Sequence, residues 1–208
     1  MDKDFCITLN GHELEYLADC HCYLVDGVLV PSITRLVRKK VGERYTDVDP
    51  EVLRMAAEAG TRVHEAIENL VMDGVEEDLP EVHNFHFLME HHDLYPLSSE
   101  VPVILFWHGD PIAAGRLDLV LENSSYVVGL ADIKRTSSLD KEYLFWQLNL
   151  YRFAYEQSYG GAIEFLRGIH LREDVRKLVA IPMNTELITE YLEEVWKEQY
   201  EPESNKGN

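Results

Sequence analysis

The stretch that decides the fold runs from Gly115 to Tyr151. It begins Gly115-Arg116-Leu117-Asp118-Leu119-Val120, passes a polar segment Glu122-Asn123-Ser124-Ser125, continues Ala131-Asp132-Ile133-Lys134, and enters a run that carries Gln147 and Tyr151. Ile112 to Leu121 and Tyr126 to Lys134 are rich in strand-forming residues, and the Asn-Ser-Ser segment between them is a turn. On a strand, residues two apart share a face, so Asp132 and Lys134 point one way and Ile133 the other. Two carboxylates converging beside an ammonium suit a divalent cation with a charged helper. A regular hairpin closed by Glu122 to Ser125, however, places Asp118 opposite Gly129. Three rungs from Asp132 is an offset of roughly 10 Å. Twist, or a bulge at Gly129, is then required to bring both acids to one ion.

Upstream, Asn10-Gly11 separates Phe5–Leu9 from Glu13–Leu17, and Asp26-Gly27 separates Tyr23–Val25 from Val28–Val30. Both dipeptides are strong hairpin turns. Ser32 after Pro31 predicts a helix entry, with the helix over Ile33–Val41. That helix carries Arg35, Arg38, Lys39 and Lys40, and Arg44 follows just beyond. Such a run reads either as a solvated face or as a phosphate-contacting edge. Asp49-Pro50 opens a longer helix towards Asp73-Gly74, with Val52, Met55, Ala59, Val63 and Ala66 on its apolar stripe. Gly60 lies inside this pattern at a cost of about 1 kcal/mol against Ala, which a close backbone approach would justify. His64 follows four residues later on the same side. A lone helical histidine is ordinarily a hydrogen-bonded boundary residue. With the downstream carboxylates it becomes a candidate metal ligand.

Pro80 starts a helix expected over Glu81–Leu94. Its His83 and His86 are one turn apart, but the packing of Phe85, Leu88 and Met89 accounts for the segment. Tyr95–Ser99 reads as a loop, Glu100 opens a strand over Val101–Trp107, and His108-Gly109-Asp110-Pro111 turns the chain back. A helix over Leu139–Tyr159 stacks Gln147 on Tyr151 one turn apart and ends at Gly160-Gly161. Ile163–Leu171 and Val175–Ile181 form a late hairpin, and Asn184 caps a final helix to Tyr200. The expected architecture is α+β, a central mixed sheet built from the Val101–Lys134 meander with helices on both sides. Hairpins and a basic helix over 1–48, a core over 49–200 and a polar, disordered tail over 201–208 make one compact domain.

Gly115-x-x-Asp118, Asp132-x-Lys134 and Gln147-x-x-x-Tyr151, preceded by Gly60-x-x-x-His64, resemble in this order the PD-(D/E)XK nuclease superfamily, and its RecB-type exonuclease branch in particular. The likeness extends from about Cys22 to about Ile181. Lys134-Arg135-Thr136 departs from it, since the family more often carries threonine directly after the lysine. The resemblance implies a restriction-endonuclease-like core that hydrolyses DNA with Mg²⁺ or Mn²⁺. In it His64, Asp118, Asp132 and the backbone carbonyl of Ile133 hold the metal, with Glu100 a further acid at the site. Lys134 positions the attacking water, and Gln147 and Tyr151 steady the site. Arg35, Arg38, Lys39, Lys40 and Arg135 are the candidates for DNA contacts. Phage recombination or DNA repair, a single-strand annealing protein as partner and a homo-oligomer are in keeping with such relatives.

Composition bounds this reading. Among 208 residues, 46% hydrophobic and 27% charged, the chain can bury a real core. No leader or spanning run is visible, so a cytoplasmic protein without membrane contact is expected. Cys6, Cys20 and Cys22 are too few for a disulfide framework or for an iron–sulfur cluster on four cysteines. Cys20-His21-Cys22 lacks a fourth zinc partner and reads better as part of a hairpin. The net charge of −19 sits awkwardly with phosphate binding, although affinity follows the local patch and not the sum. Two alternatives therefore stand beside the enzyme: a nuclease fold that binds DNA without chemistry, and an acidic nucleic-acid mimic aimed at a basic partner.

Overall fold

A computed structural model describes residues 3–42 and 48–201. Arg44 and residues 202–208 of the expected tail lie outside the described residues. The chain opens with β1 (Phe5–Leu9), β2 (His12–Leu17), β3 (Cys22–Val25) and β4 (Val28–Val30), paired antiparallel in that order. Both hairpin turns use positive φ at each central residue, Asn10 (47°) with Gly11 (86°) and Asp26 (50°) with Gly27 (77°). This left-handed pair matches the natural twist of the flanking strands. Ser32 then caps α1 (Ile33–Val41) by accepting the Arg35 N–H, and Asp49 caps α2 (Pro50–Asp73) through the Glu51 N–H. Helix α3 (Pro80–His91) leads into the second sheet.

That sheet has the order β5 (Leu94–Trp107), β6 (Asp110–Asn123), β7 (Val128–Lys134), β8 (Phe165–Arg172), β9 (Val175–Ile181). All neighbours are antiparallel except β7 and β8, which run parallel because α4 (Lys141–Tyr159) carries the chain between them. Helix α5 (Thr185–Tyr200) closes the described chain. The architecture is α+β. Helices α1, α4 and α5 cover one face of the large sheet around Leu105, Leu130, Leu148 and Leu192. Helices α2 and α3 cover the other around Ile67, Phe85, Leu121 and Ile169. The small sheet packs its Leu14, Tyr16 and Val25 on Ile104 and Ala114 at one end of β5–β6, and Ser32 bridges to Ala114. No helix among the described residues is long and apolar enough to cross a membrane.

Four local expectations are corrected. Tyr95–Ser99 is strand, not loop, and α3 ends at His91, before Leu94 opens β5. Pro96 is accommodated because β5 is an edge strand and its register shifts between Pro96 and Ser98. The turn before β6 is shorter than expected, with Asp110 already paired to Trp107. The β6–β7 connection lies further along the chain: β6 runs on to Asn123, Tyr126 stands at φ 61° and β7 begins only at Val128. This last difference builds the site.

Candidate metal centre

The register of β6 against β7 pairs Leu119 with Ala131, Val120 with Leu130, Leu121 with Gly129 and Glu122 with Val128. One step further along the same register, Asp118 faces Asp132. A regular hairpin closed by Glu122–Ser125 would have placed Gly129 there. The three-rung difference comes from Asn123, whose Oδ1 accepts the N–H groups of Ser125 and Val127 while its carbonyl accepts that of Tyr126. Those bonds draw Tyr126 and Val127 into the turn, although both residue types favour strands. No bulge at Gly129 is needed; the glycine instead makes room for the Phe165 ring, which a Cβ would approach at 2.3 Å.

On the other side of β6, Ser99 pairs with Leu119 and Val101 with Leu117, so Glu100 faces Asp118 between them. Glu100, Asp118 and Asp132 therefore lie on one rung across three strands. The rung is irregular. Glu100 adopts φ 51°, a conformation that costs a non-glycine residue on the order of 1–3 kcal/mol and collects at functional positions. Leu117 packs with the α4 side of the sheet and Leu119 with the α2–α3 side, although residues two apart ordinarily share a face. The Asp118 carboxylate accepts the Ile133 N–H at 2.7 Å, and its carbonyl accepts the Ser99 hydroxyl at 2.9 Å. Side chain thus replaces backbone in the ladder at this point, which fixes the acid in place.

His64 closes the group from α2. Its Nε2 lies 3.1 Å from the Ile133 carbonyl. A carbonyl only accepts, so Nε2 carries the hydrogen and Nδ1 is the atom that faces the acids, 3.7 Å from Asp118 Oδ2 and 3.8 Å from Glu100 Oε1. One ligand atom from each of His64, Glu100 and Asp118 lies within 4.8 Å of the others. Two ligand atoms each about 2.1 Å from one ion stand at most about 4.2 Å apart, so the 3.7 and 3.8 Å edges from Nδ1 to the two carboxylates suit a small divalent cation. A ligating imidazole commonly donates its other N–H to a carbonyl, which is the part Ile133 plays here. The Ile133 carbonyl, expected among the ligands, is thus engaged with the histidine. Gly60 has no neighbour within 4 Å of a built Cβ. It is not a close-approach glycine; it lies on the open wall of the cleft above His64.

Asp132 stands apart from the three-ligand group. It is 1% exposed, with Lys134 Nζ 2.5 Å from Oδ2. That contact falls outside hydrogen-bond angles, and Oδ1 has no hydrogen-bond partner among the described residues. Burial, reinforced by Asp118, raises the Asp132 carboxyl to about 6. Burial disfavours the Lys134 ammonium, but Asp132 and Asp118 outweigh it and the net shift is upward. Burial likewise opposes the His64 imidazolium, and Asp118 with Glu100 overcomes it, raising the group to about 9. At neutral pH the second proton on Nδ1 therefore occupies the place a cation would take.

Gln147 and Tyr151 are both buried on α4. Tyr143, Gln147 and Tyr151 fall on one helical line. Lys134 Nζ lies 5.9 Å from the Tyr143 ring centre, and Tyr151 packs on Gly115, where a Cβ would meet the phenol oxygen at 3.0 Å. Gly115 is small because that tyrosine needs the room. Gln147 lies between the two, and its Oε1 has no hydrogen-bond partner among the described residues. Burial and the nearby Asp118 push the Tyr151 phenol well above its usual range, so it stays neutral.

The expected basic contacts divide. Arg135 is held by Glu81, itself buried, at 2.8 Å and braces α3 against the end of β7. Lys40 lies over the Trp146 and Tyr191 rings and pairs with Glu194 at 3.4 Å; Lys39 pairs with Glu198. Arg35 and Arg38 are exposed and form no ion pair among the described residues. Reading by residue missed Arg116, 3.6 Å from Glu100 on the cleft wall, and Tyr143 beside Lys134. Tyr143 was legible as the residue four before Gln147; the Arg116 contact depends on strand pairing. The cleft above the rung has a volume of about 1040 Å³, and its lining includes four acids, Asp4, Glu65, Glu68 and Glu100, against the cations Lys3 and Arg116.

No family model matches the chain, and no curated protein matches it. Among solved structures it is similar to the crystal structure of SSO0001, at 16% identity over 83% of this chain and 78% of that one, with a TM-score of 0.47.

Proposed function

We propose that this chain is a divalent-metal-dependent deoxyribonuclease of the PD-(D/E)XK type, of RecB-type character, with the β5–β8 sheet as its restriction-endonuclease-like core. The observation that carries the reading is the rung of Glu100, Asp118 and Asp132, closed by His64 Nδ1 and flanked by the Lys134 ammonium, with His64 and Glu100 lining a cleft. Converging buried charges are costly unless a ligand uses them. The donor set suits Mg²⁺ or Mn²⁺, three hard or intermediate atoms with both edges from the imidazole inside one ion's span, and the imidazole favours Mn²⁺.

His64, Glu100 and Asp118 would hold the cation, with Asp132 adjoining. A cation so bound supplies Lewis-acid neutralisation of a phosphate and acidifies a coordinated water. The protein supplies the rest. Asp132 keeps Lys134 charged and aimed, so that the ammonium faces negative charge as it develops on the phosphoryl oxygens. The Ile133 carbonyl fixes the imidazole. Neutral Tyr151 and Gln147 wall the α4 side and keep bulk water from the buried Asp132.

The test is digestion of end-labelled linear and circular DNA with Mg²⁺ or Mn²⁺. The expected result is activity on linear DNA that falls by about 10²–10³-fold in Lys134→Ala and disappears in Asp118→Ala. Retained activity in both variants, or calorimetry without divalent binding by the wild type, would remove the assignment.

A further inference from the structure

The cleft above the rung continues into a second groove. His21, at φ 49° in the turn between β2 and β3, lines both. The second groove, about 1160 Å³, runs between the β3–β4 hairpin, the exposed side of α1 and the end of α5. The chain carries 38 acidic residues against 19 lysines and arginines. Yet this groove is lined by Arg35, Arg38 and Lys39 and, among the described residues, by no aspartate or glutamate. Of the three, only Lys39 has an ion-pair partner among the described residues, Glu198, which lies outside the lining. The other wall is apolar and unusually open: Val28 is 51% and Leu29 67% exposed, with Tyr200 beside them at 37%.

Cations along one wall and apolar and aromatic surface along the other match a polymer with phosphates on one side and flat faces on the other. A duplex hides its base faces and offers mainly phosphates; a single strand offers both. We infer that this groove is a binding track for a single polynucleotide strand, with Arg35 and Arg38 on the phosphates and Leu29 and Tyr200 against the bases. It delivers the strand past His21 into the cleft. The inference rests on the nuclease reading for what happens at the cleft end, but the binding does not depend on any chemistry there.

Binding separates the two. Labelled oligothymidylates of about 4 and about 20 nucleotides, the second long enough to occupy groove and cleft together, are titrated by anisotropy into wild type and Arg35→Glu/Arg38→Glu. Ca²⁺ serves as the divalent ion, since its loose oxygen shell is poorly suited to aligned catalysis. The expected result is an affinity for the long strand at least about tenfold weaker in the variant, with the dependence of log K on log salt shallower by about 1.4, two phosphates at about 0.7 each. Affinity for a duplex of equal length should hardly change, and the short strand, which can occupy either the groove or the cleft, should lose no more than the long one. Leu29→Ser, which leaves every charge in place, should weaken the long strand but not the duplex. Unchanged long-strand binding in both variants, or an equal loss for duplex, would overturn the track even where the wild type digests DNA. A selective long-strand loss supports it even where no digestion is seen.

Discussion

At the scale of single residues, His64 links the candidate metal centre to pH. Its Nε2–H is committed to Ile133 and its Nδ1 faces Glu100 and Asp118, so proton and cation compete for one nitrogen. Burial disfavours the charged ring, but the acids raise its pKa to about 9. Below that value a cation must displace the Nδ1 proton. Its affinity should therefore rise with pH through the neutral range, by up to about tenfold per unit, and level off near 9. Isothermal calorimetry with Mn²⁺ at pH 7.5, in buffers of different ionisation enthalpy, should report close to one proton released per ion. His64→Gln should bind more weakly and release almost none. Equal proton release by wild type and His64→Gln would place the competition elsewhere. The motifs made His64 and Asp118 legible as partners, because each carries its chemistry in its own side chain. Glu100 was less so: its importance lies in a left-handed φ and in its facing residue, and neither is written in residue type.

At the scale of elements, the site depends on where one turn ends. Asn123 accepts two backbone N–H groups, and that pair of bonds moves β7 three rungs along β6 relative to a four-residue loop over Glu122–Ser125. Asn123→Ala should cost about 1–2 kcal/mol of stability, two modest hydrogen bonds partly replaced by water. It should also weaken divalent binding disproportionately, since a loosened turn no longer holds Ile133 against Asp118 and His64, the two ligands it orients. Chemical denaturation gives the first quantity and Mn²⁺ titration the second; stability loss with unchanged metal affinity would mean that other pairings set the register. This turn also marks the limit of the sequence. The Asn-Gly and Asp-Gly hairpins, the Ser32, Asp49 and Asn184 caps and the helices they open could be read directly, because each is decided within a few residues. Tyr95–Ser99 and Tyr126-Val127 could not, because in both a longer-range arrangement overrides propensity: an edge strand tolerates Pro96, and a side chain outcompetes the ladder at Asn123. The same reason hid the partner of Arg135, which lies 54 residues away at Glu81.

At the scale of the whole molecule, a net charge of −19 must be reconciled with the polyanionic substrate proposed above. The two grooves divide the problem. The cleft is acid-rich, with Asp4, Glu65, Glu68 and Glu100 against Lys3 and Arg116, whereas the proposed track beyond His21 has no acid in its lining among the described residues. An acidic cleft repels phosphate until a cation is bound, and each unit charge a few ångströms from a phosphate in a solvated cleft is worth about 1 kcal/mol. Local fields of this kind, not the total, decide association. The metal would therefore gate binding as well as chemistry. A single-stranded oligonucleotide should bind wild type at least about tenfold more tightly in Ca²⁺ than in EDTA, since two added charges are each worth about 1 kcal/mol. In Asp118→Asn, which removes a ligand and a negative charge together, the Ca²⁺ dependence should largely vanish, while affinity in EDTA should be no weaker than that of wild type. The sign of the EDTA comparison is the decisive part. Were Asp118 simply part of a rigid DNA-binding surface, its loss would weaken binding under both conditions. Were the chain an acidic mimic of nucleic acid, no oligonucleotide would bind under either.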